Sequence, residues 1–189
     1  MKRLLLGMLL LLMVGHTLAE APLPGASVYQ LDVVLTDQEG RDGYWADRRG
    51  QVQLVSMFYT SCSMVCPMIV DTMKLTAQAV RAPGRAPLNV LLVSFDPTRD
   101  TVPVLHDYAQ RRQLPAPRWT LARTASPTAA RQLAAVLGLQ YRQLPDGDFN
   151  HSSELILLDA DGRIVARTNV IGRVDPEFVQ AIERTLADK

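Results

Sequence analysis

"QVQLVSMFYTSCSMVCPMIV", residues 51–70, is the stretch on which the fold turns. Gln51–Tyr59 is a mostly apolar run of strand length, bounded by Gly50 and a cysteine-bearing segment, and reads as a buried central strand. After Pro67, Ile69, Met73, Thr76, Ala77 and Val80 recur at helical spacing, and "APGRAP", residues 82–87, is expected to stop that helix. Proline is tolerated in a first helical turn, where its missing N–H has no partner to lose, so the helix is expected to begin near Cys66 or Pro67. Cys62 then lies in a strand-to-helix loop above the C-terminal end of a sheet, where open α/β sheets bind ligands. Cys66 lies at a helix N-terminus, whose dipole and free N–H groups stabilise a thiolate.

Working outward, "SVYQLDVVLTDQEGRDGYW" (27–45) reads as a strand pair around turn residues Gly40 and Gly43. "LNVLLVSF" (88–95) is the next apolar strand. "DPTRDTVPVLHDYAQRRQL" (96–114) has a cap residue, an early proline and a helical stripe through Leu105, Tyr108 and Ala109. "SPTAARQLAAVLGL" (126–139) is a further helix with Gly138 near its end, and "ELILLDADGRIVART" (154–168) is two strands around a turn at "DADG". The chain closes on a helix with Asp175 as N-cap, Pro176 at the first helical position and Phe178, Ile182 and Leu186 on one face. Strand pair, strand, helix, strand, helix, helix, hairpin, helix is an α/β order with a mixed central sheet.

The N-terminus has another character. Lys2 and Arg3 precede an apolar run from Leu4 to Val14, which falls short of the ~20 residues that span a bilayer. With "TLA" at 17–19, this reads as a signal peptide over residues 1–19, cleaved after Ala19 and exporting the chain to the bacterial periplasm. An uncleaved inner-membrane anchor facing the periplasm is the alternative. Residues 20–27 read as a flexible lead-in and 28–189 as one domain with a sizeable core. Losing the leader leaves 18 basic against 19 acidic side chains, with no basic stripe of the kind nucleic acid requires.

Export favours persistent disulfides, but Cys62 and Cys66 are the only cysteines, too few for a disulfide scaffold. The spacing is one residue wider than the C-x-x-C of thioredoxin-like redox motifs. Side chains four apart on a helix have Cβ atoms ~5–6 Å apart, whereas a disulfide wants ~3.5–4.5 Å. An irregular loop closes that gap, so bridge, redox couple and metal ligands all stay open. A third ligand would be histidine. His106 sits inside a predicted helix among polar residues and reads as a surface or half-buried helix side chain, while His151 in "NHSS" directly precedes a strand. From the residues alone, His151 serves a hydrogen bond or a metal equally well.

"FYTSCSMVCP", "VSFDPTRDT" and "HSSELILLDADGRIV", in this order and at these spacings, resemble the Sco/SenC family over nearly the whole chain after the leader. The resemblance implies a thioredoxin-like α/β fold, its mixed central sheet flanked by helices, in an exported protein that binds copper as Cu(I) or Cu(II). It implies a metallochaperone for the copper centre of a respiratory enzyme such as cytochrome c oxidase. By position, copper ligation falls on Cys62, Cys66 and His151. The implied partners are the copper-receiving subunit of the oxidase and a thioredoxin-like reductant. Asp96, Pro97, Arg99 and Asp100 match a family segment and otherwise read as a turn, a helix cap and a local ion pair. Many members carry proline and then an acidic residue after the first cysteine; here Ser63 and Met64 stand there. The ligands are kept, while the redox tuning and the client come into question.

Copper chemistry agrees with that assignment, since thiolates favour Cu(I) and imidazole suits Cu(II). Met64 and Met68 offer weak thioether contacts, although Met68 reads first as a core residue and Met64 as loop filling. Trp45 and Trp119 read as packing. A thiol–disulfide oxidoreductase acting through Cys62 and Cys66 on a client's copper-ligand cysteines is the rival function, and it has no use for His151. A peroxidase of this fold is disfavoured, because Val55 and Tyr59 stand where P-x-x-x-T/S-x-x-C needs proline and Thr or Ser. N-terminal sequencing of the protein from periplasmic extract is expected to start at Glu20; an intact Met1 on membrane-bound protein would contradict cleavage.

Overall fold

The computed structural model describes residues 21–81 and 88–188. The expected leader and the "APGRAP" helix stop lie outside these described residues. In chain order the strands and helices are β1 (Val34–Asp37), β2 (Asp42–Tyr44), β3 (Gln53–Phe58), α1 (Val65–Ala79) and β4 (Asn89–Ser94). They continue with α2 (Val102–Arg112), β5 (Trp119–Thr124), α3 (Pro127–Val136), β6 (Tyr141–Gln143) and β7 (Phe149–His151). β8 (Leu155–Leu158), β9 (Ile164–Thr168) and α4 (Pro176–Ala187) complete the chain. Among the described residues no helix is long and apolar enough to cross a membrane.

Seven strands form one mixed sheet in the order β2-β1-β5-β4-β3-β8-β9, and β6 and β7 form a separate two-stranded sheet. β3, β4 and β5 run parallel, as connections through helices require. All six residues of β3 are buried, and five of six in β4. Strands covered on both faces lose the alternation of a half-exposed strand and read as continuous apolar runs. α1 packs on β3, α2 and α3 on β5, and α4 on β9. This is the expected thioredoxin-like α/β architecture.

Four local readings change. Residues 28–30 form a 3-10 turn capped by the Ser27 hydroxyl rather than the start of a strand, and Gly43 lies within β2 opposite Leu35. β5 was not among the expected elements. "WTLART" is short and sandwiched between two helices, yet Trp119, Leu121 and Ala122 are buried and bond it between β4 and β1. The β6–β7 hairpin was also absent from the expected order; three residues per strand are too few to show a period.

Trp45 is fully buried, donates its indole N–H to the Val28 carbonyl at 2.8 Å and meets the Tyr29 ring edge-on at 5.3 Å. Tyr29 is held from the other side by Gln53, whose amide donates to the phenol oxygen at 2.7 Å. The β8–β9 turn packs onto this fixed ring. A Cβ on Gly162 would lie 2.4 Å from Tyr29 Cδ2, and Gly162 has φ +76°. Gly50 has φ +82° and nothing within 4 Å of a built Cβ. Gly162→Ala therefore adds a clash to backbone strain and is expected to cost about 2–4 kcal/mol, whereas Gly50→Ala carries strain alone, about 1 kcal/mol. Denaturant unfolding of the two variants checks the difference; equal losses would contradict it.

Candidate metal centre

Strand pairing assembles the site. Parallel register sets Phe58 of β3 beside Ser94 of β4, so the loops leaving both strands emerge at one edge. β8 runs antiparallel to β3, with Val55 opposite Ile156 and the Ser56 hydroxyl donating to the Glu154 carbonyl at 2.7 Å. The segment that leads into β8 therefore reaches the same edge, and His151 is the last residue of β7 in that segment. Cys62, Cys66 and His151 converge there: their three ligand atoms all lie within 4.8 Å of one another. A three-coordinate ion with bonds of roughly 2.0–2.3 Å sets its donors roughly 3.5–4 Å apart, so a small contraction closes the group on a metal.

The two thiols are unequal. Cys66 is fully buried in the first turn of α1, which begins at Val65, one residue earlier than expected. Burial pushes its thiol well above the usual range, and the neighbouring Cys62 sulfur adds to that rise. Burial also acts upward on Cys62, but N–H groups of Cys66 and Met64 and the Cys66 and Tyr59 side chains donate to its sulfur. Those donors prevail, so the Cys62 thiol is lowered. The Cys66 N–H reaches Cys62 Sγ at 3.3 Å, which is the helix N-terminus acting on the first cysteine rather than the second. Both cysteines are free thiols.

His151 is oriented for ligation. Nδ1 lies 3.0 Å from the Ser152 carbonyl, an oxygen that only accepts, so Nδ1 carries the proton. Nε2 then presents a lone pair, 3.5 Å from Cys66 Sγ. Burial lowers the imidazole's proton affinity, against the pull of the Ser152 carbonyl, and keeps it in the neutral form that metals bind. The ring packs against Phe95 at 5.0 Å and edge-on to Tyr59 at 6.1 Å. These two aromatics, each packed in turn against Phe149, hold the imidazole, and the reading of the sequence assigned them no role. Their place beside the cysteine and aspartate motifs was the available signal.

The "DPTRDT" segment acts as a brace. Asp96 pairs with Arg99, whose guanidinium donates to the Gly147 carbonyl at 2.6 Å and sits 5.9 Å over the Phe149 ring. Arg99 thus clamps the hairpin that ends in His151. None of Asp96, Pro97, Arg99 and Asp100 caps α2, contrary to expectation; Thr101 holds that position. The buried Asp100 carboxylate accepts from the Thr60 N–H at 3.2 Å, the Thr60 hydroxyl at 2.5 Å and the Ser94 hydroxyl. Burial raises the Asp100 carboxyl above its ordinary value, and these donors work against that rise. The carboxylate ties the cysteine loop to the end of β4.

His106 stays apart as expected, on α2 with Nδ1 3.4 Å from Glu39. Trp119 and Trp45 are buried packing residues. Met68 departs from its expected place in the core: it is 48% exposed on α1, and Met64 is 79% exposed. The first turn of α1 tilts Cys66 and Ile69 inward, and Met68, one residue from Ile69, falls on the outer face.

Comparison with known proteins agrees with this geometry. The SCO1/SenC family model matches residues 23–187. The mitochondrial SCO2 homologue of Bos taurus is 34% identical over 146 residues, which cover 72% of this chain and 52% of the bovine protein. The chain thus spans about half the length of that relative. Arabidopsis thaliana ScoI, solved with copper bound, superposes with a TM-score of 0.71 at 17% identity, covering 84% of this chain and 98% of that one. BsSco, a member of the Sco family of cytochrome c oxidase assembly proteins in which a disulfide switch was identified, gives 0.71 at 18% identity, covering 84% and 94%. With a family match running from the lead-in to the last helix, this chain belongs to the SCO1/SenC family.

Proposed function

We propose that this protein is an exported copper metallochaperone that loads the copper centre of a respiratory enzyme such as cytochrome c oxidase. The observation that carries the reading is the convergence of Cys62 Sγ, Cys66 Sγ and His151 Nε2 at one edge of the sheet. Family membership and the copper-bound Arabidopsis relative support it. Two thiolates suit Cu(I), and the imidazole adds a donor suited to Cu(II), so the set holds either oxidation state. Cys62 is half-buried and Cys66 fully buried, so of the two thiols an incoming donor on the client meets Cys62 first. The proposed partners are the copper-receiving subunit of the oxidase and a thioredoxin-like reductant that returns the pair to thiols. The proposed place of action is the periplasm.

The lowered Cys62 thiol also favours a second reading, a thiol–disulfide oxidoreductase. In that mechanism the Cys62 thiolate attacks a client disulfide and forms a mixed disulfide, releasing one client thiolate. Cys66, losing its proton, then attacks Cys62 Sγ and releases the second client thiolate, leaving a Cys62–Cys66 disulfide. His151 has no part in either step.

Copper titration of the reduced protein separates the readings. Thiolate-to-Cu(II) charge transfer is expected to colour the loaded protein, and Cys62→Ser or Cys66→Ser to abolish the colour. His151→Ala is expected to weaken Cu(II) at least roughly ten-fold, equivalent to about 1.4 kcal/mol, and to weaken Cu(I) less. Apparent affinity is expected to rise with pH, because copper must displace the proton that burial holds on Cys66. In cells lacking the protein, respiratory copper-enzyme activity is expected to fall and to recover partly with added copper. Unchanged Cu(II) affinity in His151→Ala, with full cellular rescue by that variant and none by Cys62→Ser, would replace the chaperone reading with the oxidoreductase.

A further inference from the structure

We propose that Met64 and Met68 form a thioether port for Cu(I) at the mouth of the site, holding the ion as it passes between Cys62 and an outside donor. The inference rests on the copper reading above and adds ligands to it. After the leader the chain has four methionines, and they divide sharply. Met57 and Met73 are fully buried, the usual place for a flexible apolar side chain that fills gaps in a core. Met64 and Met68 are 79% and 48% exposed, and both sit within six residues of Cys62.

Their positions suit a ligand. Met64 lies between the two cysteines as the N-cap residue of α1, and Met68 follows four residues later in the helix. Both therefore belong to the short segment that carries the two cysteines into the helix. The loop after β9 approaches the far end of Met68 without covering the side chain, which stays 48% exposed: it comes to α1 through Gly172, whose N–H donates to the Thr72 hydroxyl at 2.9 Å. A Cβ on Gly172 would stand 3.6 Å from the Met68 methyl.

Thioether sulfur is a soft donor that selects Cu(I) together with thiolate. It is also neutral, so it binds without losing a proton and competes weakly against two thiolates for a resident ion. Those properties fit a place of passage rather than a place of storage. On release, the copper bonds to His151 Nε2 and Cys66 Sγ break while bonds to the two Sδ atoms form, with Cys62 retained. Cys66 recovers a proton from water. Copper stays Cu(I) throughout and no electron moves.

Leucine keeps the apolar surface and removes the sulfur, so M64L/M68L separates a ligand role from an apolar contact. The full-length reduced protein, loaded with one Cu(I), is mixed without oxygen with bathocuproine disulfonate, and release is followed by the chelator's colour. M64L/M68L is expected to hold Cu(I) with an affinity within about two-fold of the parent and to release it roughly ten-fold more slowly, a rise of about 1.4 kcal/mol in barrier. A parental release rate from normally loaded M64L/M68L would overturn the port and leave the chaperone reading standing. Failure of the parent protein to take up Cu(I) through Cys62 and Cys66 would overturn both.

Discussion

The central strand β3 is the constraint from which the site follows. It hydrogen-bonds to β4 in parallel and to β8 in antiparallel register, and no residue of it reaches solvent. A parallel neighbour brings its exit loop to the edge where β3 ends, and an antiparallel neighbour brings its entry loop there. Three sequence-distant segments thereby meet: the cysteine loop after β3, the "DPTRDT" loop after β4, and the hairpin ahead of β8. Cys66 and His151, 85 residues apart in sequence, come within 3.5 Å because of that register. A one-residue slip would turn the side chains of β3 to the opposite faces and part the Ser56 hydroxyl from the Glu154 carbonyl, so packing on the two faces and that bond hold the alignment.

The side chains at this edge then divide the work. Asp100 gathers the Thr60 N–H and hydroxyl and the Ser94 hydroxyl, fixing the start of the cysteine loop to the end of β4. Arg99 reaches across to Gly147 and fixes the hairpin. Phe95 and Tyr59 wall the imidazole, and the Ser152 carbonyl sets its tautomer. The helix N-terminus lowers the outer thiol, while burial protects the inner one. The result is one fully buried thiol beside two half-buried donors, of which Cys62 is the readily ionised thiol, an asymmetry suited to handing over a soft ion.

Much of this was legible in the residues. The apolar runs of β3 and β4, the stripe of α1 and the Asp175–Pro176 start of α4 each carry a period or a cap that one sequence suffices to reveal. β5 escaped because six residues between two helices, with Ala122 and Arg123 breaking the pattern, show little of the continuous run that identified β3 and β4. The β6–β7 hairpin escaped because its strands are stabilised by the aromatic cluster around Phe95 rather than by a period of their own. At the site, the Cys–Cys–His set was legible only through family likeness. Spacing does not report that a residue 85 positions away returns to the same edge. The role of Asp100 was not legible, because the donors to its buried carboxylate lie 6 and 40 positions back. Met68 was misread because apolar character alone does not tell the two sides of a first helical turn apart.

The central claim is that Cys62, Cys66 and His151 hold one copper ion together. X-ray absorption at the copper edge of the protein loaded with one equivalent tests it most directly. The account predicts two sulfur scatterers at bonding distance with one imidazole in the Cu(II) form, and loss of the imidazole signal in His151→Ala. A first shell of oxygen and nitrogen alone, or an unchanged spectrum in His151→Ala, would contradict it.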